Sequence, residues 1–86
     1  MERAEISVLY DYFGALLTDK QKDCFDLYYN EDLSLAEIAE LKGISRQAAW
    51  DNIRHAEEKL VEFESKTGLI NRIQELEWRL KAYQTN

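Results

Sequence analysis

The stretch SLAEIAELKGISRQAAWDNI, residues 34–53, decides the fold. Ser34 stands three residues before Glu37, the spacing of a capping box. In that arrangement a hydroxyl accepts from an early helix amide while the carboxylate reaches back to the cap amide. A short helix is therefore expected to open at Ser34 and end near Leu41. Gly43 follows, and it can take the positive φ that a tight stop requires. Ser45 then caps another helix. Two capped helices joined by a glycine corner form the helix-turn-helix pattern, whose second helix can enter the major groove of DNA. Small Ala39, four residues before the glycine, lets the two helices cross closely. Ile38, Leu41 and Ile44 are expected to fill the corner.

Reading outward, Thr18 and Gln21 repeat the capping-box signal and open a helix carrying Cys24, Phe25, Leu27, Tyr28 and Tyr29, which the polar run NEDL ends. Before it, Ile6, Leu9, Tyr10, Phe13, Leu16 and Leu17 recur at helical spacing and predict a first helix over residues 3–17. The helix capped by Ser45 is expected to run to about Lys66 and stop at Gly68, with Ala49, Ile53, Ala56, Leu60 and Phe63 on its buried stripe. A last helix is expected over residues 69–83. The class is all-α, a helix-turn-helix domain of four to five helices over residues 1–68 with a C-terminal helix in residues 69–86 for packing or dimerisation.

The 86 residues are enough for one small core, and 45% hydrophobic with 33% charged is too apolar for disorder and too interrupted for a membrane span. The opening run MERAEISVLYDYFGALL has acidic residues near its front and no cleavage pattern, so a cytoplasmic location is expected. Cys24 is the single cysteine and His55 the single histidine. They offer neither a disulfide nor a metal cluster, and Cys24 reads as a small core residue. There is no phosphate-cradling glycine loop, and adjacent carboxylates such as Glu57 and Glu58 diverge by about 100° on a helix. The expectation is a protein that is not an enzyme, with no metal, cofactor or small-molecule substrate.

At 100° per residue the outward face of the helix after Ser45 carries Gln47, Asp51 and Arg54, with Trp50 on its flank and Arg46 nearer the border. Arginines suit guanine or phosphate, glutamine pairs with adenine, and aspartate accepts from a cytosine amino group. Lys42, Ser45 and the first amides suit phosphates. The alternative for this face is plain solvation, with Asp51 and Arg54 an ion pair. Residues 42–55 hold three cations against one carboxylate within a chain of net charge −6, so the basic patch is small. Few phosphates would be neutralised, and a single copy should bind weakly unless Lys20 and Lys22 extend the patch. In the last helix Leu69, Ile73, Leu76, Leu80 and Tyr83 follow a 4-3-4-3 heptad spacing. Two repeats are too few for a free coiled coil, so the seam packs either on the first helix or on a second subunit. Trp78 projects to the opposite side, where a partner protein is one use for it.

The runs ALLTDKQ, DLYYNEDLSLAEIAE and ISRQAAWDNI resemble the YlxM-type family of small bacterial helix-turn-helix proteins, and more distantly the C-terminal DNA-binding module of sigma factors. The resemblance covers residues 10–63. It implies a DNA-binding regulatory protein linked to the signal recognition particle pathway, with reader positions at Ser45, Arg46, Gln47, Trp50 and Asp51. Trp50 and Asp51 depart from the smaller or basic residue and the glutamine common in sigma factors. Members carry a longer charged tail than the AYQTN ending. The expected partners are DNA or structured RNA, a second copy of the chain, and components of the signal recognition particle. The rival expectation is a protein- or RNA-binding adaptor of that particle which does not read DNA.

Overall fold

The computed structural model describes residues 2–84, so the end of the AYQTN tail lies outside the described residues. Five α-helices follow one another: α1 Arg3–Phe13, α2 Asp19–Phe25, α3 Leu35–Lys42, α4 Arg46–Thr67 and α5 Leu69–Gln84. No strand occurs among the described residues, and the class is all-α. No described helix is long and apolar enough to cross a membrane.

The caps form as local chemistry dictates. The Gln21 amide donates to Thr18 Oγ1 at 3.2 Å while the Thr18 amide donates to Gln21 Oε1 at 3.1 Å. Ser34 and Glu37 exchange the same pair of bonds at 3.0 and 3.1 Å. The bonds from Ser34 hold the Glu37 carboxyl below its ordinary pKa. Gly43 sits at φ 66°, and the Ile44 amide returns to the Ala39 carbonyl at 3.0 Å. Those two features are the αL stop and the six-to-one bond that close a helix sharply.

Two apolar clusters share α4 as their spine. Ile6, Leu9, Phe13, Leu17, Phe25, Ala56, Leu60 and Ile70 form one; Cys24, Ile38, Ala49 and Ile53 form the other. Neighbouring residues of α2 thus serve different clusters, Cys24 one and Phe25 the other. Tyr29 packs against both, its ring 4.5 Å from that of Phe25. It reaches that place because α2 continues over Asp26–Asn30 as a π-turn, in which the Glu31 amide bonds the Asp26 carbonyl five residues back. Its hydroxyl donates to Glu57 of α4; burial, then this bond, pushes the phenol pKa well above its ordinary value.

Three expectations change. The first helix ends at Phe13, and residues Gly14–Leu16 form a 3-10 turn that rotates Leu16 out to 62% exposure while Leu17 stays buried. Leu41 is not in the corner: it is 64% exposed, and Ile44 fills that space beside Ile38. The seam of α5 does not lie on α1. Only Ile70, off the seam, is buried from this helix.

Candidate nucleic-acid interface

Ser45 caps α4, its Oγ accepting from the Ala48 amide at 3.0 Å. The remaining first-turn amides point outward at the positive end of a 22-residue helix. The buried stripe is the expected one, with Ala49, Ile53, Ala56 and Leu60 wholly enclosed and Phe63 half-buried. Anchoring that stripe leaves the opposite side free. Arg46, Gln47 and Arg54 are exposed, Asp51 half-exposed, and Trp50 exposed to 37% on the flank.

The polar groups on this side are not equivalent. Gln47 Nε2 donates to Asp51 Oδ1 at 2.9 Å, and Arg54 lies 3.7 Å from the same oxygen. A closer partner holds Arg54, Glu58 at 3.1 Å. The alternative expectation, an ion pair between Asp51 and Arg54, is therefore part of a longer line of contacts. Such exposed pairs contribute about 0.3–0.5 kcal/mol each, little enough for a phosphate to displace them. Arg46 has no ion pair among the described residues and is the most available cation of the face. Lys42 also has a partner: its Nζ sits 3.0 Å from Asp23 Oδ2, tying the end of α3 to α2.

The structure brings together one group that the sequence separates. Lys20, Cys24, Lys42, Ile44 and Asn52 line a depression of about 80 Å³ beside the corner. Lys20 thus extends the basic edge of the corner, whereas Lys22 is absent from this lining. Asn52 escaped sequence reasoning because it lies between the buried and outward faces of α4, and its amide is occupied by the Ala48 carbonyl at 3.0 Å. Cys24 is enclosed, and burial pushes its thiol pKa up. The second candidate set is bare: Leu69, Leu76, Leu80 and Tyr83 are exposed, Ile73 is half-buried, and Trp78 is 73% exposed on the far side. Among the described residues no group of three or more His, Cys, Asp or Glu is placed to hold a metal.

Asp51 places a negative charge where phosphates would approach. Asp51→Asn should raise affinity for non-specific duplex several-fold near ~50 mM salt, because it removes a like charge from the approach of the phosphates and a competitor for Arg54. Fluorescence anisotropy with a mixed-sequence duplex measures this. An unchanged or lower affinity would show that DNA does not approach this side.

Comparison with known proteins places these features in a family. Residues 1–85 match the model of UPF0122, described as "Putative helix-turn-helix protein, YlxM / p13 like". A UPF0122 protein of Thermoanaerobacter sp. (strain X514) is 52% identical over 71 residues, which cover 83% of this chain and 61% of the relative. Another, from Caldanaerobacter subterraneus subsp. tengcongensis, is 48% identical over 71 residues with the same coverage. One from Clostridium kluyveri is 49% identical over 81 residues, covering 94% of this chain and 73% of the relative. The chain spans about three-fifths of the length of the first of these relatives.

Proposed function

Because the chain belongs to the UPF0122 family of YlxM/p13-like helix-turn-helix proteins, a nucleic-acid-binding type and not an enzyme family, we propose that it binds duplex DNA through the first three turns of α4. The observation that carries this reading is the exposed Arg46 beside the Ser45-capped start of a helix whose inner stripe is buried and whose opposite face, after the Gly43 corner, is turned to solvent. Arg46 and Arg54 take phosphate or guanine, Gln47 takes adenine, and Ser45 with the first amides fixes the helix on the backbone. Lys20 and Lys42 flank that track, Lys42 after leaving Asp23. Asp51 and Trp50 restrict which sequences are tolerated.

The protein is, in this proposal, a sigma-like regulator acting as a homodimer in the cytoplasm. Its link to the signal recognition particle pathway rests on the family resemblance alone. Two to four neutralised phosphates give a single copy little affinity, and a second copy doubles the contact. The test is a titration of the 86-residue protein with duplex DNA and with a hairpin RNA across a salt series. For DNA the logarithm of affinity should fall with a slope of about −2 to −4 per copy against the logarithm of salt concentration. Tighter binding to the hairpin, or no salt-dependent binding to DNA, would overturn the reading.

A second reading is favoured by Trp78, 73% exposed on the back of α5 and remote from the reader. An exposed tryptophan of this kind suits a protein contact, as an adaptor of the targeting particle would need. That reading requires binding to the purified particle that Trp78→Ala removes and Arg46→Ala leaves intact.

A further inference from the structure

We propose that α5 pairs with α5 of a second copy in parallel and in register, forming a two-heptad zipper that places two readers about one twofold axis. This deepens the dimeric DNA reading above and rests on it for its use, but not for its test.

The first support is the way α5 is held. Its amides at Ile70 and Asn71 donate to the two carboxylate oxygens of Glu64 at 2.9 and 3.2 Å, and the Leu69 amide donates to Thr67 Oγ1 at 3.2 Å. Gly68 at φ 59° makes the corner between α4 and α5. The start of α5 is thus fixed by named bonds from the end of α4. Ile70 is buried, and with Asn71 and Gln74 it lines the junction with Glu5, Val8 and Leu9 of α1. On a helix, Ile70 and Gln74 lie about 100–140° round from the seam of Leu69, Ile73, Leu76, Leu80 and Tyr83. The body of the protein therefore occupies one flank and leaves the seam open apart from Ile73, which is half-buried. The molecule measures 56 × 24 × 20 Å, and its apolar seam points to solvent up to Tyr83, which is 84% exposed.

The second support identifies the occupant. With Leu69, Leu76 and Tyr83 at heptad position d and Ile73 and Leu80 at a, the flanking g positions are Arg72 and Arg79, and Glu77 is at e. In a parallel pair each g residue faces the e residue five positions on in the partner helix. Arg72 then faces the partner's Glu77, and the symmetry makes the pair twice. In an antiparallel pair g faces g, which sets Arg72 against Arg79 and repels. Within one chain both arginines rest on Glu75, at 3.3 and 2.7 Å, exposed contacts that yield readily to a cross-chain partner. Trp78 falls at f, on the outside, and takes no part.

A seam of two heptads falls short of the roughly 1,200 Å² at which standard interfaces begin, so the pair is weak in free solution. Two half-sites on one DNA supply the missing effective concentration. The twofold axis along α5 makes those half-sites an inverted repeat.

The experiment measures self-association by sedimentation equilibrium, without DNA, for the full chain and for Arg72→Glu, Glu77→Arg and their equimolar mixture. Each variant alone should associate about tenfold more weakly, and the mixture should return to the parent level, because only the mixed pair restores opposite charges on both flanks. Leu76→Asp should abolish association while circular dichroism stays unchanged, since Leu76 is exposed and belongs to neither apolar cluster. Stronger association of Arg72→Glu alone would establish an antiparallel pair and overturn the proposal. A monomer at every concentration overturns it too. Either result leaves the DNA reading to stand or fall by its own salt titration.

Discussion

Phe25→Ala is expected to cost about 3–5 kcal/mol, the range for emptying a buried aromatic site. An 86-residue domain holds in total on the order of 4–13 kcal/mol. Phe25 is 1% exposed, its ring stacks on that of Tyr10 at 4.4 Å and meets Tyr29 at 4.5 Å, and it belongs to the cluster that joins α1, α2 and α4. None of these neighbours can collapse into the space without leaving another contact. Tyr29 is fixed by Glu57, and Arg3 stands 5.2 Å from its ring centre while donating to its carbonyl at 2.7 Å. At roughly 4–8 °C per kcal/mol for a domain of this size, the melting temperature should fall by at least ~12 °C, and a weakly stable parent would be unfolded outright. Thermal melting followed by circular dichroism checks it. A shift within about 2 °C would mean that the stack adds little to the core, contrary to the packing described.

Removing both outward arginines, Arg46→Ala with Arg54→Ala, should weaken duplex DNA binding about a hundredfold near 50 mM salt and flatten the salt slope by nearly two. The two changes are not expected to contribute equally. Arg54 must first leave Glu58 at 3.1 Å and Asp51 at 3.7 Å, whereas Arg46 has no such pair among the described residues. Arg46→Ala alone should therefore produce the larger share. Both side chains are exposed and lie away from the two clusters, so the melting temperature should move little. Anisotropy titrations at three salt concentrations separate the outcomes. An unchanged affinity would remove the outward side of α4 as the DNA-binding surface. A loss that does not depend on salt would assign the arginines to base contacts alone.

The parts of this architecture written locally were open to reading. Thr18 with Gln21, Ser34 with Glu37, and Ser45 each place a hydroxyl at a cap, and all three caps form, because the partners lie within three residues. Gly43 and Gly68 mark both left-handed stops for the same reason. What escaped depends on local departures from α-helical spacing or on residues far apart in the chain. The stripe of the first helix looked continuous through Leu16, but beyond Phe13 the backbone tightens to three residues per turn, and a 100° projection no longer holds. The π-turn at Asp26–Asn30 shifts register where Tyr29 meets α4, a contact spanning 28 residues. Leu41 lost its expected place because Ile44 returns through the Schellman-type stop and fills the corner first.

For the candidate site, the set from Ser45 to Arg54 was legible as one face of one helix. The tether of Lys42 to Asp23 and the neighbourhood of Lys20 and Asn52 were not, since they require α2 to lie beside the corner. The heptad of α5 was visible, while its two possible coverings looked alike. Ile70, one residue off the seam, holds α5 to the body and turns the seam away from α1.

Because α4 runs unbroken through both clusters, neither end of the molecule has a private core on which to persist when the other melts. The domain should lose order as one unit, and the slowest-exchanging amides should lie between Ile53 and Leu60, where only whole-molecule opening admits solvent. Clamping the reader end on a ligand would then slow proton exchange in α1, at a distance and without any contact between the two.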